Sequence, residues 1–539
     1  MQRSDYLIIG GGTAGCILAN RLSKNPANHV TLFEAGSTNE HFFVKTPAAF
    51  SKLFKTNRDW AFWTTPQKHL DNKKLYQPRG KMLGGCSSMN AMIYIRGSKK
   101  DFKEWEDLGN EEWSFEKVLP YFLKSEGNQH FLNAYHNRDG EQIISHPKSP
   151  NPLSYDLIEA AKNLGFNHNR DFNGFDQNGF GFYQLFQKDG QRYSTADAFL
   201  KPILNRKNLN IITDARVEKV LFEGKRAIGV EYYKKGFKYQ AFANREVILS
   251  AGAFNSPAIL LRSGVGPSED LRAKDIEVIH ESPEVGKNLQ DHLIAGVSVE
   301  SWGNTLDSAQ SPIEILPNII QMKLFKRGKL TSNIGEAGGF VKSSSEIDAP
   351  DLQFMFTPSF FIRHGFDNPE GKSGMTLGAT LLTPKSKGSL RLKSKFYKDL
   401  PEVDPNYFDQ EEDINRLIFG YKLAEKILYQ APLSKSIKNR YLPLERLEKE
   451  EEIADHIRQT VQTLYHPVGT CRMGIDETAV VGQDLFVKGV QRLRIADASI
   501  MPKIVRGNTQ ACSMMIAERA ADMIIEARPT YIQKAIYSE

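Results

Sequence analysis

Tyr6-Leu7-Ile8-Ile9-Gly10-Gly11-Gly12-Thr13-Ala14-Gly15 decides the fold of this chain. Four consecutive apolar residues read as a buried strand, and the glycines after them as a tight turn. Ala14 to Ser23 then has helical character, and Val30-Thr31-Leu32-Phe33 is a second strand. Strand, helix and strand in that order imply a parallel sheet. The turn carries G-x-G-x-x-G at Gly10, Gly12 and Gly15. The first glycine permits the turn, the second lets backbone approach a pyrophosphate, and the third lets helix and strand pack closely. Thr13 and Ala14 open the helix, whose free N–H groups and partial positive charge suit phosphate. Glu34, followed by Ala35, closes the second strand where a carboxylate can bond a ribose. An acid there favours FAD or NAD over NADP, and the motif does not choose between the first two.

The chain has 539 residues, which suits two intimately joined domains. Its net charge of +6 is a mild excess at this length and does not point to nucleic acid. It is compatible with weak attraction to an anionic membrane surface. Four cysteines, Cys16, Cys86, Cys471 and Cys512, show no C-x-x-C spacing, so no metal site is expected. Four thiols, no secretory signal and no apolar run of about 20 residues lead to a cytoplasmic expectation. Peripheral attachment to the inner face of the cell membrane is left open.

Further strands are expected at Ile211-Ile212-Thr213, Arg216 to Phe222, Ala227 to Tyr233 and Tyr239 to Leu249. Residues 40–160 mix turns, aromatics and short helical stretches. Ser389 to Lys393 alternates like an edge strand, and 444–465 reads as an acidic, solvated helix. No internal repeat or linker interrupts the chain.

Two more glycine clusters stand out. Arg79-Gly80-Lys81-Met82-Leu83-Gly84-Gly85-Cys86-Ser87-Ser88-Met89-Asn90-Ala91-Met92 pairs glycines with small hydroxyl residues, so backbone can approach something large and flat; a surface loop is the plainer reading of such sequence. Gly252-Ala253-Phe254-Asn255-Ser256-Pro257 opens a helix that ends near Gly264. These stretches resemble the two signature patterns of the glucose–methanol–choline oxidoreductase family. Val285 to His292, Tyr465 to Gly474, Ile495 to Pro502 and Gly507-Asn508-Thr509-Gln510 are similar to further family blocks, in the same order. The resemblance covers nearly the whole chain and is nearest to bacterial alcohol and choline dehydrogenases. The tract Thr331 to Phe340 resembles dehydrogenases of medium-chain aliphatic alcohols.

The resemblance implies an α/β (α+β overall) fold, with a Rossmann-like FAD-binding domain on a parallel sheet and a substrate domain with an antiparallel sheet and helices. It places an N-terminal region at 1–300, with FAD segments at 1–40, 75–150 and 205–300 interrupted by substrate-domain insertions. The substrate domain follows at 301–460, and 461–539 returns to the FAD domain. His466 matches the family's catalytic base, a role that suits imidazole because its pKa lies near working pH. Asn508 matches the second catalytic position, where an amide can both donate and accept. Gly84, Gly85, Ser87 and Asn90, Ala91, Met92 and Ile93 are expected along the flavin. Arg79, Val217, Asp497, Ala498 and Thr509 join the cofactor-binding set, Val217 through adenine and Asp497 through the ribityl or pyrophosphate region. A strand-end cap is the plainer reading of Asp497. Asp291-His292 is expected to cover the pyrophosphate or to be structural. Leu316, Ile319, Ile320, Phe354, Phe356, Phe360 and Phe361 are expected either in the substrate pocket or in ordinary core.

Two departures matter. Relatives that attach FAD covalently use a histidine where this chain has Met89, so the flavin is expected to be non-covalent. Relatives read Gly-Asn-Thr-Asn where this chain has Gln510. The implied reaction is oxidation of a primary alcohol, aliphatic or aromatic, to the aldehyde. FAD takes the hydride, and a quinone or other respiratory acceptor takes the electrons. An oxidase that releases H2O2 shares every motif. A flavin-bearing hydroxynitrile lyase, a non-catalytic flavin scaffold and a nicotinamide dehydrogenase are the competing classes.

Overall fold

The computed structural model describes residues 2–311 and 313–526. Positions 527–539 of the expected C-terminal segment lie outside the described residues. Two seven-stranded sheets carry the architecture.

In the first sheet, Leu209–Ile212, Val30–Phe33, Gln2–Ile9 and Phe237–Leu249 lie side by side in parallel. The expected βαβ unit is therefore present, with its helix at Thr13–Leu22. Leu493–Ile495 adds a further parallel strand beside Val247 to Leu249. The sheet is mixed: Arg226–Lys234 and Ala215–Glu223 continue it as antiparallel neighbours. Its central strands, Tyr6 to Ile9 and Val30 to Phe33, are buried on both faces. The closing helix Gln510–Glu526, buried along most of its length, packs on Thr13–Leu22.

The second sheet is antiparallel, in the order Ile437–Leu442, Leu293–Ser301, Gly374–Leu381, Leu352–Thr357, Ala337–Val341 and Gly179–Phe182. Leu293–Ser301 thus pairs here although all but its last residue falls inside the 205–300 segment expected with the FAD domain. Helix Glu411–Leu428 covers one face and builds the second core with Leu352, Phe354, Phe356 and Leu377. The other face turns toward the first sheet.

The expected acidic helix is shorter than 444–465. It runs Glu450–Thr460, after which Gln462–Thr463 pairs with Leu293 and Ile294. That short pairing matters, because the chain reaches His466 directly from it. The edge strand at 389 is only Ser389–Arg391, paired with Glu402–Asp404. No helix among the described residues is long and apolar enough to cross a membrane.

Candidate active site

A cavity of about 660 Å³ runs along the seam between the two sheets. Its size falls in the range of small-molecule and cofactor sites. One wall consists of Gly10, Gly12, Thr13 and Ala14, with Glu34 and Ala35 at the end of the second strand. A Cβ placed on Gly12 would meet only the Gly85 Cα, at 3.9 Å, so the backbone there faces open space. Gly15 and Gly84 do not line the cavity. A Cβ on Gly15 would lie 1.9 Å from the Gly10 carbonyl oxygen, so this glycine sets the helix against the strand. Gly84 has φ +85° and its N–H donates to the Gly11 carbonyl at 2.7 Å, welding the second glycine cluster to the first. Glu34 accepts from Gly11 N–H at 2.9 Å and Gly36 N–H at 2.7 Å. Burial pushes its carboxyl up to about 7, while those N–H groups and Lys81 oppose the shift.

The expected Arg79, Gly85, Ser87, Asn90, Ala91, Met92, Ile93, Val217, Ala498 and Thr509 also line the cavity. So does Met89, otherwise packed among Phe54, Tyr76 and Met82. Arg192, which sequence reasoning missed, fixes this wall from behind. Its buried guanidinium donates to the Ser87 carbonyl at 3.2 Å and the Asn90 side-chain oxygen at 3.0 Å. Gln510 accepts a bond from the Asn90 amide, so the departure from the family pattern ties the final helix to the second glycine cluster. Asp497 both lines the cavity and caps. One oxygen accepts from Ser499 N–H at 2.8 Å, the other from Gly252 N–H at 2.9 Å and the Ser256 hydroxyl at 2.6 Å.

His466 and Asn508 meet at the far end. The Asn508 amide nitrogen lies 3.2 Å from His466 Nε2, although the residues are 42 positions apart. His466 follows Tyr465, held at φ +67°, and its backbone N–H donates to Asp291 at 2.8 Å. Asp291 also accepts from the Tyr407 hydroxyl at 2.6 Å and the Gln77 amide at 3.1 Å, so the loop is pinned by a saturated carboxylate. His292 Nδ1 lies 3.0 Å from His466 Nδ1, and its Nε2 lies 3.0 Å from the Leu382 carbonyl oxygen. A carbonyl only accepts, so His292 carries its proton on Nε2 and presents a bare Nδ1. His466 must then donate from Nδ1, which leaves its Nε2 lone pair facing Asn508. Burial, the neighbouring His292 and Arg79 hold His466 well below the ordinary imidazole pKa. Burial likewise lowers His292 to about 4, so both rings are neutral at pH 7.

Asp291 and His292 therefore stand behind His466 and not over the pyrophosphate loop. Their order beside Gln290 marked them as a family block, but nothing in the sequence names the ring they support. Of the seven apolar residues expected around the pocket, Phe361 alone lines it. Phe354 and Phe356 point to the opposite sheet face, into the second core. Phe360 packs on Tyr441, Ile319 on the Ala48–Leu330 cluster, and Leu316 and Ile320 face outward. The residues that do line this side are Ile294, Gly296 and Ser298, with Thr376, Gly378 and Met355 beside them.

A nucleotide-type glycine loop and a neutral imidazole–amide pair sharing one cavity define a dinucleotide-dependent oxidoreductase arrangement. The GMC oxidoreductase family models match residues 4–294 and 384–517, and the chain belongs to that family. It is 44% identical over 533 residues to the alcohol dehydrogenase [acceptor] of Pseudomonas putida, covering 97% of this chain and 95% of that one. It is 39% identical to the mitochondrial choline dehydrogenase of Mus musculus, covering 98% and 91%. Among solved structures, the formate oxidase of Aspergillus oryzae, studied for modification of its FAD, superimposes with a TM-score of 0.92 at 27% identity, covering 98% and 99%. The four cysteines are free thiols, and no cluster of metal-ligating side chains occurs among the described residues.

Proposed function

We propose that the protein binds FAD non-covalently and oxidises a primary alcohol to the aldehyde, passing electrons to a quinone or another acceptor. The residues fit that cofactor. Gly12 leaves a cradle that a Cβ would fill, Glu34 lines the same wall at the end of the second strand, and one cavity joins this loop to His466. Gly10, Gly12, Thr13, Ala14 and Ala35 hold the pyrophosphate and adenosine, with Val217 at the adenine. Arg79, Gly85, Ser87, Asn90, Ala91, Met92, Ile93, Asp497, Ala498 and Thr509 hold the rest. Met89 has no nucleophilic nitrogen, which supports a dissociable flavin. When bound, a flavin supplies the two-electron acceptor for the hydride that leaves the alcohol carbon.

The observation that carries the reading is the bare His466 Nε2 beside the Asn508 amide. His466 Nε2 takes the hydroxyl proton. Asn508 gives up its bond to that nitrogen and donates to the substrate oxygen, holding the alkoxide as it forms. The Asn508 side-chain oxygen accepts from the Gln353 amide at 3.4 Å, which keeps its nitrogen turned toward His466. His292, fixed by the Leu382 carbonyl, keeps the His466 proton on Nδ1.

The substrate side of the cavity carries Ile294, Met355 and Phe361, and the Asp367 carboxylate that lines it is matched by Arg363 at 3.0 Å, which favours an uncharged alcohol over a quaternary ammonium substrate. The acceptor reading rests on the Pseudomonas putida relative, whose name specifies an acceptor. An oxidase is the second reading, favoured by likeness to the formate oxidase. The test is anaerobic reduction of the purified yellow protein by a panel of 1-alkanols and choline. Bleaching by alkanols, followed by rapid reoxidation with a quinone analogue and slow reoxidation in air, is the expected result. Bleaching by choline alone overturns the substrate assignment, and rapid peroxide release in air overturns the acceptor assignment.

A further inference from the structure

The helix Ile315–Phe325 is largely apolar, with only Asn318, Gln321 and Lys323 polar, yet lies at the surface. Its inner side, Ile315, Ile319 and Met322, packs on Ala48, Leu330 and Ile334. Its outer side repeats the pattern without a partner: Leu316, Ile320 and Leu324 are 63, 43 and 71% exposed. Ile313 and Phe325 extend this stripe at the two ends. Exposed hydrophobics on a soluble surface ordinarily stand singly and do not line up along one helix face. The surface continues onto the neighbouring turn, where Phe42 and Phe43 are also exposed and Lys323 Nζ stands 5.9 Å over the Phe42 ring.

The charges around the stripe share one sign. Lys323, Lys326 and Arg327 are exposed, and none is in an ion pair among the described residues. The nearby acids are already matched, Glu314 by Lys329 at 2.8 Å and Glu40 by Lys201 at 3.5 Å and Lys45 at 3.8 Å. An apolar face rimmed by unpaired cations is the chemistry of a helix lying in the headgroup layer of an anionic bilayer. The same helix rests on Ile334, which lines the cavity, and on the Pro47–Leu53 turn, whose Phe50 also lines it. The inner side of the helix thus shares a packed cluster with Ile334, a residue of the cavity wall.

We propose that Ile313 to Arg327, with Phe42 and Phe43, is a membrane-docking surface that seats the protein on anionic lipid with its cavity next to the bilayer. Leu316, Ile320 and Leu324 enter the acyl boundary, while Lys323, Lys326 and Arg327 meet lipid phosphates. The inference does not depend on the redox reading, because lipid binding is measured without turnover.

The experiment is flotation of the full chain with phosphatidylglycerol–phosphatidylethanolamine vesicles and with phosphatidylcholine vesicles. The wild type is expected to float with the anionic vesicles. The triple variant L316E/I320E/L324E is expected to lose that association by tenfold or more, roughly the effect of placing carboxylates on an inserted face. Its melting temperature and its rate with a water-soluble dye acceptor are expected to match wild type. K323A/K326A/R327A should lose the preference for anionic lipid, whereas Leu132→Glu, at an exposed leucine elsewhere, should change nothing. Wild type that stays unbound, or a triple variant that floats equally, overturns the proposal. So does a wild-type dimer that the triple substitution dissociates without any lipid binding, since the stripe would then serve a second copy of the chain.

Discussion

The two walls of the cavity are built from different material. The nucleotide wall is mostly backbone: Gly10, Gly12 and Gly85 present peptide groups, and Gly15 and Gly84 let those segments touch. The opposite wall is a sheet face, where Ile294, Gly296, Ser298, Thr376, Gly378 and Met355 face inward only because the register places them there. A backbone surface tolerates almost no side chain, so its chemistry is restricted to glycine and small residues. A sheet face accepts many residues, and one step of register turns a pocket residue into a core residue. The walls should therefore fail in different ways when changed.

The largest effect is expected on the backbone wall. Gly12→Leu fills the cradle that only the Gly85 Cα otherwise approaches, and the purified protein should lose its bound flavin outright. Absorbance at flavin wavelengths measures this, and a fully yellow Gly12→Leu variant breaks the comparison. At the far end of the cavity, His466→Ala should keep the flavin and slow its reduction by alcohol by about 10²–10⁴, the usual worth of a positioned base. Stopped-flow bleaching at wild-type rate removes His466 from its proposed role.

The same contrast explains what could be read in advance. The βαβ unit, the strands from Ala215 to Leu249 and the glycine positions were legible, because turn glycines and apolar runs are local signals. His466 and Asn508 were legible through family resemblance and meet at 3.2 Å. Phe354 and Phe356 were not assignable, since an alternating strand names two faces without saying which one holds the core. Asp291 and His292 were visible as a block with two readings open, and the structural one holds; the sequence did not name the ring they support because His466 arrives from 174 positions beyond His292. Ile319 and Ile320 read alike as apolar residues, and only the fold turns one inward and the other to solvent.

The side-chain wall also carries titrating groups. Burial depresses His292 and His364 to about 4 and His466 well below 6.5. A histidine whose folded pKa is lowered contributes stability that is intact above its unfolded pKa, near 6.5, and is lost as pH falls through the folded value. The expected result is a melting temperature that declines below about pH 6.5 toward pH 4, with Glu34, raised to about 7, offsetting part of the decline because its protonated form favours the fold over the same window. For His292, fully buried, the loss is on the order of 3 kcal/mol. His292→Phe should flatten part of that decline, if the ring packs in the same space. It should also weaken the proton placement on His466, so that flavin reduction slows even where the fold is retained. A variant whose acid decline is as steep as wild type shows that His292 is not one of the groups driving it.

The smallest effect is the most specific to this wall. Gly296 and Gly378 lie directly opposite each other on paired strands, and both line the cavity. A Cβ on Gly378 would come within 2.6 Å of the Ile294 Cδ1 atom. Ile294 leans over Gly378, and the Ser298 and Thr376 hydroxyls, 2.9 Å apart, stand one pair further along the same cavity-lining face. In Gly378→Val the new side chain is expected to displace Ile294 and narrow the cavity along this face. Short alcohols should be oxidised at nearly the wild-type rate. Longer 1-alkanols should lose kcat/KM by about tenfold relative to them, the order expected when a pocket is short by one methylene. The measurement is the ratio between chain lengths within one protein, which cancels any general loss of folded enzyme. An unchanged ratio means the substrate chain does not run over the glycine pair, and the sheet face is then a wall of the flavin site alone.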